Sequence, residues 1–151
     1  MLNTQRSGIV ETKIYAHRGA SKYAPENTMP AFQLALDMNA DGIETDVQLT
    51  KDGVPILIHD EKLKRTTTGS GYVKDYTLEE LQQLDAGSWF DATFTGTKLI
   101  TLEQLLQWIK PTSLLLNLEL KNNVIDYENL EEKVYNLVVS YDMLHRTVFS
   151  S

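Results

Sequence analysis

Short apolar segments alternate with segments of helical periodicity along most of this chain, and this alternation limits the folds that are open to it. Five segments are predicted to be β-strands: 13–17, 42–49, 54–58, 114–121 and 147–150. Four segments are predicted to be helices: 30–38, 78–84, 101–110 and 130–141. Nearly continuous apolar strands that alternate with helices favour a parallel sheet covered by helices on its faces.

Two of the predicted helices begin with a specific signal. Thr77 with Glu80, and Thr101 with Gln104, have the spacing of capping boxes, in which two side chains satisfy N–H groups at the start of a helix. Residues 61–98 otherwise depart from the alternation, and the stretch 66–71 contains only Thr, Gly and Ser. We therefore predict an insertion at about 61–98 that lies over the mouth of the fold.

Polar side chains occur at the ends of three of the predicted strands and inside a fourth. They are His17 and Arg18, Glu44 and Asp46, His59 and Asp60, and Glu119 and Lys121. Active sites of (β/α)8 barrels form at the carboxyl ends of the strands, so the pattern predicts an α/β fold of the (β/α)8 TIM-barrel type. Such barrels typically need about 250 residues, and this chain has 151. We therefore expect 1–151 to be the N-terminal portion of one barrel domain, about strands 1–5, with the insertion after strand 3.

Composition excludes several classes of function. The chain has no Cys, which excludes disulfides, thiolate catalysis and Cys-based zinc sites. Its net charge of −7 argues against a nucleic-acid partner. The polar N-terminus resembles no signal peptide and no apolar run is long enough to span a membrane, so a cytoplasmic protein is expected. The open edges of a partial barrel would favour self-association.

Three of the strand-end residues have the chemistry of a metal site. Glu44 and Asp46 are two apart on one strand and project from the same face, where Glu119 can join them. Carboxylates without a softer ligand favour Mg²⁺, Ca²⁺ or Mn²⁺ over Zn²⁺. One such carboxylate alone would more often pair with Arg or Lys. Three together repel one another and therefore indicate a bound cation.

Two histidines and two basic residues complete the pattern. His17 and His59 are candidates for an acid–base pair, because imidazole titrates near neutral pH. Arg18 and Lys121 could hold phosphate oxygens. Asp60 is interpreted as a group that orients His59 or caps its loop. Other polar residues receive a structural interpretation: Glu26, Asn27, Arg65 and His145.

The motifs as an ordered set resemble the glycerophosphodiester phosphodiesterase family. They include His17-Arg18-Gly19-Ala20, Pro25-Glu26-Asn27-Thr28, the stretch 41–47, Thr50-Lys51-Asp52-Gly53, His59-Asp60, Leu63-x-Arg65-Thr66-Thr67-x-Gly69-x-Gly71 and Glu119-Leu120-Lys121. The resemblance implies a TIM barrel with an insertion after its third strand, and hydrolysis of small-molecule glycerophosphodiesters to glycerol 3-phosphate and an alcohol.

The resemblance also implies a role for each matching residue. It assigns acid–base catalysis to His17 and His59, and metal binding to Glu44, Asp46 and Glu119. Phosphate binding falls to Arg18 and Lys121. The implied mechanism is attack by the substrate's own glycerol hydroxyl, which gives a cyclic phosphate that water then opens.

Two other functions are compatible with these residues. A phospholipase that cleaves a lipid phosphodiester would use the same two-histidine chemistry, although no membrane-docking segment is visible. A non-catalytic half-barrel that binds metal or phosphate would keep the same ligands. The chain departs from the family's usual pattern at Ile100, where Pro is frequent, and in its length.

Overall fold

The structure is a computed structural model that describes residues 12–151. The prediction that no signal peptide is present concerns mainly residues outside this range. The elements, in chain order, are β1 (Tyr15–His17), α1 (Met29–Asp37), β2 (Gly42–Leu49), β3 (Pro55–Leu57), α2 (Leu78–Leu81), α3 (Leu102–Ile109), β4 (Leu115–Leu120), α4 (Leu130–Ser140) and β5 (Thr147–Ser150). Short 3₁₀ turns occupy Val73–Asp75, Ala92–Phe94 and Leu144–Arg146.

The five strands form one sheet. β1, β2, β4 and β5 run parallel in that spatial order, with α1 between β1 and β2 and α4 between β4 and β5. β3 instead pairs antiparallel with the end of β2, which differs from the parallel arrangement that we predicted. Residues 50–54 form a tight turn, and a parallel crossover needs a dozen or more residues. The short link therefore dictates a hairpin at this point.

Both predicted capping boxes are present. The side chain of Thr77 accepts from the Glu80 N–H, and that of Thr101 accepts from the Gln104 N–H. α2 is shorter than predicted, because the N–H of Leu84 already bonds back to the Leu81 carbonyl in a tighter i to i+3 turn. The capping residues therefore fix where both helices begin.

The main core lies between the helices and one face of the sheet. Along β4, Leu116, Leu118 and Leu120 are buried in this core, while Leu115, Asn117 and Glu119 alternate with them and are partly exposed. A smaller apolar cluster packs beneath the chain that joins β3 to α3: Ile56, Ile58, Leu63, Val73, Leu81, Ala86 and Leu99. The face of the sheet opposite the main core is therefore available to polar side chains.

Both edges of the sheet are unpaired in the part of the chain that the structure describes. Within residues 12–151, β1 pairs only with β2, and β5 pairs only with β4. Ile14 and Met38 near β1, and Val148 on β5, are exposed. Self-association through these edges stays a prediction.

Among residues 12–151, no helix combines the length and the apolar character that crossing a membrane requires.

Candidate active site

The register of the parallel strands brings the predicted site residues to one face of the sheet. His17 on β1 lies beside Glu44 on β2, and Asp46 on β2 lies beside Glu119 on β4. Neighbours across a strand pair project to the same face, and so do residues two apart on one strand. Four side chains from three strands therefore converge near the carboxyl ends of those strands.

The three carboxylates form a compact group that is suited to a cation. Glu44, Asp46 and Glu119 each offer an oxygen, and these oxygens lie within 4.8 Å of one another. Asp46 is fully buried. Its Oδ2 accepts from Asn27 Nδ2 at 3.1 Å, but its buried Oδ1 has no hydrogen-bond partner among the described residues. A buried carboxylate oxygen without a donor is costly, and a hard divalent cation would satisfy it.

Glu44 shows the electrostatic consequence of this crowding. Burial, together with the negative charges of Asp46 and Glu119, raises its pKa from 4.5 to about 7, although the Arg18 N–H opposes the shift. A proton on Glu44 therefore offsets part of the repulsion among the three carboxylates in the metal-free protein at neutral pH. A bound cation would displace that proton.

The raised pKa of Glu44 predicts how metal-free stability depends on pH. Between pH 5 and pH 8 the folded state binds more protons than the unfolded state, so stability is expected to fall as pH rises through about 7. In chelator, the Tm should decrease over this range by more in the parent than in Glu44→Gln, as measured by scanning calorimetry. Added Ca²⁺ or Mg²⁺ should raise the Tm more at pH 8 than at pH 5. Equal pH slopes in the two proteins would contradict the prediction.

His59 is held by a carboxylate on one side and faces the site on the other. Its Nδ1 lies 2.8 Å from Asp60 Oδ1, and its Nε2 lies 3.5 Å from Lys121 Nζ. Hydrogen bonds from Arg65 and His59 lower the pKa of Asp60 to about 2, so this carboxylate is ionised and can only accept. Nδ1 therefore carries the ring proton, and Nε2 is the nitrogen that faces the site without a proton.

The remaining predicted residues border the carboxylates. His17 Nε2 lies 3.7 Å from Glu44 Oε1, and the His17 side chain is 65% exposed. Lys121 Nζ lies 3.7 Å from Glu119 Oε2, so it connects the carboxylate group to His59. The structure thus places all seven predicted site residues in one continuous group, while their individual roles stay predictions.

Arg18 owes its place to an unusual backbone. Its φ of 59° turns the chain sharply after β1, and its N–H donates to the Glu44 carbonyl at 2.7 Å. Gly19 continues the turn at φ 80°, where a Cβ would lie 2.8 Å from Ala31 on α1. The sharp turn directs the Arg18 guanidinium to Asp46, with Nε 3.5 Å from Oδ2.

Several residues that received a structural interpretation contact the site directly. Glu26 accepts from both Arg18 and Arg65, and Asn27 joins Asp46 to the Thr45 hydroxyl. The sequence analysis did not single out Gln48, which is fully buried and lies two residues after Asp46. A glutamine between two apolar residues, Val47 and Leu49, was the available signal.

Comparison with known proteins identifies the family. The sequence model of the glycerophosphoryl diester phosphodiesterase family matches residues 17–149, which is most of the chain. A glycerophosphodiester phosphodiesterase of Caldanaerobacter subterraneus is 46% identical over 142 residues, covering 94% of this chain and 58% of that protein. The chain belongs to this family.

Solved structures of family members share the fold described here. The glycerophosphodiester phosphodiesterase of Agrobacterium tumefaciens superposes with a TM-score of 0.84 at 42% identity, over 91% of this chain and 57% of that one. A phosphodiesterase of Oleispira antarctica, in complex with the product sn-glycerol-3-phosphate, gives a TM-score of 0.78 at 37% identity over 91% of this chain and 56% of that one. The chain therefore has a TIM-barrel-type α/β fold and spans somewhat more than half the length of these relatives.

Proposed function

We propose that this protein hydrolyses glycerophosphodiesters to glycerol 3-phosphate and an alcohol, with the help of a divalent cation. The observation that carries the proposal is the single group formed by three carboxylates, two histidines and two basic side chains, which the sheet and its adjoining loops bring together. The product bound to the Oleispira antarctica relative supports the same chemistry.

In this proposal the carboxylate group holds the cation. Glu44, Asp46 and Glu119 supply only oxygen ligands, which suits Mg²⁺, Ca²⁺ or Mn²⁺. When bound, such a cation would lower the pKa of the attacking hydroxyl and offset the charge that develops on the phosphoryl oxygens.

The basic residues and histidines then act on the phosphodiester. Arg18 and Lys121 orient the phosphate. A glycerol hydroxyl of the substrate attacks phosphorus, the bond to the alcohol breaks, and the resulting cyclic phosphate is opened by water. One histidine takes the proton of the hydroxyl and the other gives a proton to the leaving alkoxide. His59 exchanges its proton at Nε2, because Nδ1 is engaged by Asp60.

The proposal extends to the architecture of the domain. Residues 1–151 would form the N-terminal part of a single barrel, with the insertion at about 61–98 next to the site. The outer edges of β1 and β5 are where further strands would pair. A barrel of eight strands needs this pairing, since closure is what removes the edges.

The decisive experiment is an assay of the protein, in the length that its gene encodes, on glycerophosphocholine. With Mg²⁺, Ca²⁺ or Mn²⁺ we expect release of glycerol 3-phosphate and choline, and excess chelator is expected to abolish the release. Choline and phosphocholine are both quantified, because choline is released when the P–O bond to the alcohol is cleaved and phosphocholine when the P–O bond to glycerol is cleaved.

Two outcomes would replace the proposal with another function, and a third would change its chemistry. Hydrolysis of a lipid phosphodiester in bilayers, without hydrolysis of glycerophosphocholine, would indicate a phospholipase. Tight cation binding without hydrolysis of either substrate would indicate a non-catalytic binding module. Hydrolysis that is unaffected by chelator would remove the cation from the proposal.

A further inference from the structure

Arg65 joins two carboxylates at the rim of the site. It was not predicted to act in catalysis, metal binding or phosphate binding. Its Nε and Nη2 donate to the two oxygens of Asp60, each at 2.9 Å. Its Nη1 and Nη2 donate to the two oxygens of Glu26 at 3.1 and 2.9 Å. Exposed ion pairs are usually weak, but bidentate pairs that form a network are the exception.

Each of the two carboxylates in turn holds a residue of the proposed machinery. Asp60 accepts from His59 Nδ1 at 2.8 Å. Glu26, whose side chain is 9% exposed, also pairs with Arg18 Nη1 at 3.3 Å. A continuous chain of contacts therefore runs from Arg18, which is proposed to bind phosphate, through Arg65 to His59, which is proposed to transfer protons.

The backbone of His59 is fixed independently of Arg65. Gln48 Nε2 donates to the carbonyls of Ile58 and His59 at 3.2 and 2.9 Å. The Tyr127 hydroxyl donates to Gln48 Oε1 at 2.6 Å, in a buried environment. Removal of Arg65 would therefore release the ring of His59 while its main chain stays in place.

We propose that Arg65 is a positioning residue that aligns the His59 imidazole with the Arg18 guanidinium through Asp60 and Glu26. The role in turnover rests on the proposed hydrolysis, whereas the effect on the imidazole can be measured without it. Without Arg65, Asp60 loses its bidentate partner and is free to rotate away from Nδ1. Glu26 then pairs with Arg18 alone. The stronger attraction to Glu26 moves the Arg18 guanidinium away from Asp46.

Arg65→Gln is expected to lower turnover, because the His59 imidazole and the Arg18 guanidinium would no longer be held in place. A misplacement of about 1 Å can cost on the order of 100-fold, so kcat should fall about 10- to 100-fold. KM should rise as well, because Arg18 binds the phosphate. Arg65→Lys keeps the charge but lacks the planar fork, and it should restore only a small part of the loss. Lys64→Gln removes the neighbouring exposed charge and should leave kcat and KM unchanged.

The tautomer of His59 provides a readout that does not depend on activity. Nitrogen-15 NMR of the parent should show the proton on Nδ1, and both Arg65 variants should shift the population towards Nε2–H. Lys64→Gln should keep the parental tautomer. Circular dichroism spectra should be unchanged in all three variants, which confirms that they are folded.

The inference and the proposed function fail in different ways. If the parent hydrolyses glycerophosphocholine but Arg65→Gln keeps its kcat or the parental tautomer, the positioning role is wrong. Full rescue by Arg65→Lys would also overturn it, because charge alone would then suffice. If the parent is inactive, the hydrolysis proposal fails, and the tautomer shift by itself decides whether Arg65 positions the ring.

Discussion

His59→Ala and His17→Ala are each expected to lower kcat for the release of glycerol 3-phosphate by about 10²- to 10⁴-fold, the usual contribution of a general acid or base. Neither imidazole belongs to the carboxylate group, so cation affinity should survive both changes. Turnover is measured on glycerophosphocholine at saturating cation, and affinity by calorimetric titration.

The third histidine offers a matched control. His145 lies exposed in the 3₁₀ turn Leu144–Arg146, before β5 and outside the group of site residues. His145→Ala should therefore keep the parental kcat. A near-parental rate in either His17→Ala or His59→Ala would show that the acid–base assignment is wrong for that residue.

Asp46→Asn is expected to weaken cation binding by roughly 100-fold or more, because it removes the most deeply buried carboxylate of the group. Asn can keep the acceptor for Asn27, and its amide would replace the Oδ1 atom that has no partner among residues 12–151. The substitution should therefore change the metal-free Tm far less than it reduces the rise in Tm that added cation produces. Thermal unfolding with and without Ca²⁺ measures both quantities.

Asp37→Asn is the matched control for this change. Asp37 is exposed at the end of α1 and accepts only from Gln33 among the described residues. Its variant should show the parental rise in Tm with cation. If Asp46→Asn shows the same rise, the carboxylate group does not hold the metal.

Much of the fold could be predicted because its signals are local. The capping boxes at Thr77 and Thr101 mark helix starts through contacts between residues three apart. The apolar face of α4 follows from periodicity alone. The antiparallel direction of β3 was harder to predict, since an apolar strand has the same pattern in either direction and only the short turn before it excludes a crossover.

The network behind the site could not be read from local patterns. Arg65 contacts Glu26 across 39 residues of sequence, and Tyr127 contacts Gln48 across 79. Such contacts depend on how loops after different strands fold over the same end of the sheet. Arg65 falls within a motif of the family resemblance, but nothing in the sequence shows that it contacts Glu26 or Asp60.

The sequence by itself determined which chemical groups are available and that they lie at the ends of predicted strands or, for Glu44 and Asp46, inside one. Oxygen-only ligands, two imidazoles and two basic side chains follow from residue identity and a period of two along a strand. Only the tertiary structure decided that Asp46 lies opposite Glu119, that Asp60 engages Nδ1 of His59, and that Arg65 ties this histidine to Arg18. The physical reason is that strand register and loop packing are set by the whole core, whereas residue chemistry and strand periodicity are local.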